Sequence, residues 1–525
     1  MIVDLERDEN LPNFPADVCI VGAGAAGIVL AAELLRHGKR VLLLESGGSV
    51  IEPAAQALNE FVYTGQPHQG ANIGRFRALG GTTTVWGGQV LELDEQDFAP
   101  RSWVPGSGWP FAKEELIPYY QRALVAEELA QSLQTDRQIW EEMKTGAPAL
   151  GEDFVSYFTR WCPEPNFARL YRETFQEPNI CVVLHATATA MLFGKDVSRV
   201  HGIRCQNMSG WEHTFSSAQY VLSLGTIESV HFLLQPLPGA QTMPWNRSGL
   251  LGRHFHSHID LNAACIPQEG AAHLQRWFAN AYLGRYKYHP KFRLALPRQR
   301  QEKILNIAGS VTCIHEAEME LRKVKSLARG FVRGKAARAS LQDLPRVVRQ
   351  LPTMLRLGYS YRVHHRAAWP KKSAFWLRAH CEQEPLSQSR ITLSDDRDAT
   401  GLLRAQLNWR ISTLEWKTIR CFTERVQRAF AELGVANISP RPELLLEEGF
   451  RDVVVDDSHH HMGGTRMSAS AADGVVDAQL RLHGVENAYV CSTSAFSSSG
   501  FSNPTHTLIA LAIRLADHLN EKSNA

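Results

Sequence analysis

Apolar and polar positions alternate along this chain in blocks that read as strands and helices. Asp17 to Val21 (DVCIV) is almost wholly apolar, as a short strand buried on both faces should be. It runs straight into glycines, after which Ile28, Leu30, Ala31, Leu34 and Leu35 keep a helical spacing until Gly38. A second buried strand follows in RVLLLE, ending at Glu45. Between 179 and 235 the pattern shortens to ICVVLH, TATAML, RVHGIRC and TFSS, and then QYVLSLGTIESVHFLL repeats the order strand, Gly225, helix. Near the far end Asn503 and Pro504 suit the N-cap and first position of a helix. Leu508, Leu511, Ala512, Leu515 and Leu519 form its stripe, and the all-apolar LIALAI predicts that its first half is buried. A buried helix start presents free N–H groups and partial positive charge, which invites an anion.

The glycines after the first strand are Gly22, Gly24 and Gly27, a GxGxxG placed between a strand and a helix. One allows the tight turn, the next lets the backbone approach a pyrophosphate, and Gly27 lets the helix close on the strand. Glu45 lies 45 − 27 = 18 residues beyond the last glycine, where a carboxylate receives a ribose 2′-hydroxyl. The pattern predicts an ADP moiety without distinguishing NAD from FAD, and an acid at this place argues against NADP. A second cluster, from Arg75 through Gly80-Gly81-Thr82-Thr83 to Trp86-Gly87-Gly88, holds two glycine pairs around a threonine run. Such a concavity suits phosphate or a flat ring better than a plain turn.

At 525 residues the chain has room for two or three domains, and its net charge of +2 gives no electrostatic preference for nucleic acid. No apolar run reaches the length of a membrane span, and the first residues lack the basic and hydrophobic regions of a secretion signal, so the cytoplasm is the expected compartment. The nine cysteines form no Cys-x-x-Cys pair, and no metal site is expected.

The stretch DDSHHHMGGTRM, from Asp456 to Met467, completes the picture. If it is extended, His459 and His461 share a face and His460 points away. A histidine held by a glycine turn and Thr465, followed later by Asn503-Pro504-Thr505, resembles the C-terminal signature of the glucose–methanol–choline (GMC) flavin oxidoreductases. The loop at 75–88 and the run from Ser107 to Tyr120 are similar to those of the bacterial sugar-oxidising, pyranose-oxidase-like branch. Together these motifs span nearly the whole chain. The resemblance implies a discontinuous Rossmann-type FAD-binding domain in an α/β chain, made of 1–258 and 451–525. It further implies an α+β substrate domain on an antiparallel sheet at 259–450.

The same resemblance implies site roles. The cofactor shell would add Ala26, Ser46, Ala188, Gly225, Pro504 and Thr505 to the residues of the two glycine clusters. Val85 stands where some relatives carry a histidine linked to the flavin, so FAD is expected without a covalent bond. His461 would take the hydroxyl proton of a sugar, glycoside or polyol, with Asn503 bonding the same oxygen as hydride passes to flavin N5. Gln383, in the stretch HCEQEPLSQSR, would touch the substrate. The family's usual Asp before His258 is replaced here by Ser257. A lyase with structural FAD and an electron-relay flavoprotein are the alternatives. Inside the substrate domain, 322–372 holds fourteen Lys or Arg against one acid, Asp343. It reads as a solvated helical arm, or as a docking surface for an anionic membrane or an acidic electron acceptor.

Overall fold

Strands apolar on both faces require cover on both faces, which the interior of a parallel sheet between helices supplies. Val41–Leu44 and the second half of Ala16–Val21 are buried throughout. In the computed structural model, which describes residues 1–8, 11–237, 242–315, 344–370, 373–435, 437–446 and 455–524, both lie inside a six-stranded parallel sheet. Its order is Ile2–Asp4, Ile180–Leu184, Val41–Leu44, Ala16–Val21, Ser217–Leu222 and Ala488–Val490. Three separate stretches of sequence thus build one sheet, and the last strand pairs Tyr220 to Leu222 with Ala488 to Val490. The helices Ala25–Arg36 and Pro504–Asn524 pack together beside it. Ile509 to Ile513 are fully buried, as their all-round apolar character predicts.

The second sheet has eight strands, all antiparallel. At its centre are Ile259–Ile266, Ala374–Cys381, Ile307–Ile314 and Tyr286–Leu294. Alternation divides its faces. Phe375, Leu377, Ala379 and Cys381 are buried towards one side, whereas Arg378 and His380 stand on the other. The helix Thr413–Glu432 contributes Trp416, Ile419, Phe422, Val426 and Phe430 to the apolar core, and a Ser412–Glu415 capping box starts it. Gly309 is required in that core, because a Cβ there would stand 2.7 Å from the Phe422 ring.

This sheet does not stay within the expected 259–450. Phe154–Trp161 and Gln89–Val90, both from the 1–258 stretch, continue it beyond Tyr286–Leu294. Without them that strand would leave an open hydrogen-bonding edge. Of the basic stretch, 322–343 and 371–372 lie outside the described residues; Leu344–Val363 is a helix with Pro352 inside it. Among the described residues no helix is long and apolar enough to cross a membrane.

Candidate active site

The glycine turn opens onto a cleft of about 220 Å³ between the carboxyl end of the parallel sheet and the start of the C-terminal helix. Gly22 has φ +105°, a conformation that disfavours a side chain. A Cβ on Gly27 would stand 2.0 Å from the Gly22 carbonyl oxygen, so helix and strand meet only because both residues are glycine. Gly24 faces open space. Gly22, Gly24, Ala26, Glu45, Ser46, Arg75, Gly81, Thr82, Thr83, Trp86, Gly225, Pro504 and Thr505 all line the cleft. Gly80, Gly87 and Gly88 shape its wall from behind; a side chain on Gly87 would strike Trp161, and one on Gly88 would strike Pro165. Ala188 belongs to a smaller adjoining pocket with Thr187, Ser46 and Arg77. Open backbone at Gly24, an acid at one end and a helix start at the other fit a long dinucleotide that carries a ring.

Two charged groups on this wall behave differently from the sequence reading. Glu45 is buried, and its carboxylate accepts the Ala23 and Gly47 backbone N–H groups at 3.0 and 2.9 Å. Burial raises its pKa while those bonds oppose the rise. It therefore fastens the glycine turn as well as facing the cleft. Arg75 does not offer a free charge to a phosphate. Its guanidinium binds Glu228 at 2.5 Å and the Ala71 carbonyl at 2.6 Å, and Arg77 binds the other Glu228 oxygen at 2.6 Å. Glu228, which no motif singled out, holds this Arg–Glu–Arg group together and also lines the cleft.

The three histidines are arranged otherwise than alternation predicts. Ser458 and His459 have φ of +53° and +58°, in the left-handed region, so the segment is kinked rather than extended. The kink brings His460, not His461, to Asn503: His460 Nε2 lies 3.1 Å from Asn503 Nδ2. On its other side His460 Nδ1 is 2.9 Å from His258 Nδ1. His461 instead stacks near Phe255 and stands 5.0 Å from the His68 ring, with no hydrogen-bond partner for its buried Nε2 among the described residues. Its backbone carbonyl accepts the Thr226 and Thr493 hydroxyls. Asp457 anchors the kink. Its side chain accepts the Gly70 and His459 N–H groups at 2.9 and 3.1 Å, and its carbonyl accepts the Ser257 hydroxyl at 2.5 Å.

Gln383, expected to touch the substrate, is instead engaged with protein groups. It is fully buried; its oxygen accepts from Ser257 N–H at 2.7 Å and Trp409 Nε1 at 2.9 Å, and its nitrogen donates to the Arg410 carbonyl at 2.6 Å. The amide is used up inside the fold. Trp409, 26 residues further on, is one of its partners. Ser257, which replaces the acid expected there, bonds both Gln383 and Asp457 and so joins the second sheet to the histidine loop.

Residues 385–512 match the family model described as GMC oxidoreductase, and residues 15–60 match one described as FAD binding domain. The chain carries a GMC oxidoreductase C-terminal domain. FAD is the cofactor of this GMC chain. Paromamine 6'-oxidase from Streptomyces fradiae is 22% identical over 95% of the chain and 90% of its own length. 6'''-hydroxyparomomycin C oxidase from Streptomyces lividus is 32% identical over 20% of the chain, and the match spans only 21% of that relative. Pyridoxine 4-oxidase from Mesorbium loti shares the fold, with a TM-score of 0.55, 16% identity, and coverage of 96% of this chain and 99% of that one.

Burial holds His256, His258, His289, His380, His460 and His461 below the usual imidazole range; for His256 and His460 the value falls to about 4. The folded GMC chain therefore binds fewer protons than the unfolded chain between about pH 6.5 and 4. Stability from these groups is present above that window and is lost as pH falls through it. The melting temperature should drop steeply from pH 6.5 to 4, by an amount equivalent to several kcal/mol. A flat profile over this range would show that these imidazoles are not held neutral.

Proposed function

We propose that this GMC chain oxidises the carbinol of a sugar, glycoside or polyol to a ketone or aldehyde. The observation that carries the reading is the His460–Asn503 contact beside the cleft, at the start of the buried C-terminal helix. The flavin, when bound, supplies the hydride acceptor. His460 is the base. Burial keeps it neutral near pH 7, ready to receive a hydroxyl proton. With a proton on Nδ1 donated to His258, its Nε2 lone pair is directed towards Asn503 and the cleft. The Asn503 amide is the donor that follows the same substrate oxygen as it becomes carbonyl-like. The helix beginning at Pro504 supplies partial positive charge to that end of the cleft, worth up to ~2 kcal/mol for a partly buried anion. The oxidases named among the relatives support an alcohol as substrate class.

His460→Ala is expected to slow flavin reduction by an alcohol about 10²–10⁴-fold while FAD stays bound. His461→Ala should slow it far less, because the hydrogen bond to Asn503 is made by His460 although both rings line the cleft. Stopped-flow reduction under anaerobic conditions decides between them, and the reverse ranking would return the base to His461.

FAD is held without a covalent link in this reading, since residues 75–88 contain no histidine and Val85 stands at the linkage position. Acid precipitation should leave all yellow colour in the supernatant. Colour retained in the washed pellet would refute this.

The helix Leu344–Val363 supports the further reading of 322–372 as a docking surface for anionic lipid in the cytoplasm. Leu355, Tyr359, Tyr361 and Val363 are exposed on it, and its charged residues are all arginine. Co-sedimentation with phosphatidylserine vesicles should be strong at low salt and fall as the Debye length shrinks to about 8 Å at physiological ionic strength. No co-sedimentation at low salt would leave the helix as a solvated arm.

A further inference from the structure

The face of the eight-stranded sheet that turns away from the Phe292–Phe422 core carries a charge without a partner. On Tyr286–Leu294 the side chains of Tyr288 and Phe292 enter the core, so Lys291 lies on the opposite face. It is cross-strand from Tyr157, whose ring packs at 5.8 Å on Phe501, two residues before Asn503. Lys291 is only 7% exposed, its ammonium keeps a small opening to solvent, and among the described residues it has neither hydrogen bond nor ion pair. Burial lowers its pKa to about 8, and Asp260 resists that fall. Asp260 is already engaged: Arg378 Nη2 lies 2.9 Å from one oxygen and His380 Nδ1 contacts the other. The Lys291 charge in turn is among those that depress His460, which places it within electrostatic reach of the proposed base. Buried His289 Nε2, on the same face and likewise without a partner, faces an excess of positive charge.

A buried ammonium is costly unless paired, and a sugar hydroxyl solvates it without neutralising it. A substrate bearing an ammonium would be repelled by Lys291, whereas Arg378 is already matched by Asp260 and Asp456. We propose that the polyol taken by this site carries a carboxylate, as a sugar acid or uronic acid does, and that Lys291 pairs with it. The inference rests on the reading that substrate lies against His460 and Asn503, and it adds a specificity residue to that site. Binding of the carboxylate completes an ion pair that the protein alone leaves half made.

Matched pairs test it: D-gluconate against D-glucitol, and D-glucuronate against D-glucose, each titrated into oxidised holoenzyme and read by the flavin absorption change and by calorimetry. At least one acid should bind about tenfold or more tighter than its neutral partner. Lys291→Met, which keeps length and removes charge, should lower that acid-to-neutral ratio by about tenfold, and Lys291→Arg should retain most of it. Unchanged melting and flavin content would establish that both variants are folded. Equal binding within each pair, no binding by either acid, or an undiminished ratio in Lys291→Met would overturn the inference. Acid binding in an enzyme whose flavin no alcohol reduces would count against the oxidation reading and leave the Lys291 pairing intact.

Discussion

The buried carboxylate of Asp457 is the constraint on which the arrangement of the histidine loop depends. Burial alone would raise its pKa, but His68, 3.1 Å away, and the N–H groups of Gly70 and His459 hold it well below the usual carboxylate range. Together with the Ser257 hydroxyl on the Asp457 carbonyl, these contacts tie two other segments to the loop. Gly70 belongs to the helix Gln69–Ile73, His68 is its cap, and Ser257 leads into the second sheet. With Asp457 fixed on all sides, the backbone adopts left-handed conformations at Ser458 and His459 that such residues occupy uncommonly. Those two residues set the direction in which His460 points.

Charge is handled in opposite ways on the two walls of the site. On the cofactor wall, buried charges are kept and matched, as in Arg75, Glu228 and Arg77. On the histidine wall His258 and His460 are buried without an ion-pair partner among the described residues, and desolvation keeps them neutral. A matched group holds a fixed shape and is costly to break. An unmatched imidazole retains the capacity to change protonation, which is what a base requires. His258 and His460 share one close nitrogen–nitrogen contact, which one proton between them satisfies.

Sequence pattern served well where local rules dominate. The strand–glycine–helix unit at 16–36, the all-round burial of 509–513 and the start of the last helix at Pro504 follow from period, turn chemistry and capping. The histidine register did not, because alternation presumes extended backbone and the two left-handed residues break it. The signal lay in Asp456-Asp457-Ser458, residue types that favour turns, directly before the histidines. Gln383 and Arg75 illustrate a different gap. Whether an amide or guanidinium faces a ligand depends on long-range partners, Ser257 and Trp409 in one case and Glu228 in the other, which spacing does not reveal. Likewise the edge of Tyr286–Leu294 takes its partner from more than a hundred residues upstream.

The last strand of the parallel sheet has a consequence for how the molecule comes into being. Ala488–Val490 joins strands made several hundred residues earlier, and His460, Asn503 and the helix from Pro504 are synthesised in the same final stretch. On the ribosome the glycine turn, its two strands and most of the cleft floor emerge long before the segment that closes it. Non-local pairings of this kind are slow, because the closure entropy of the intervening chain comes before any reward. The nascent protein therefore passes through a stage in which the nucleotide half of the cofactor has a surface to meet but the ring end has no wall. Early flavin capture on the exposed turn would then favour docking of the C-terminal segment, making the cofactor a participant in the final folding step as well as in the chemistry.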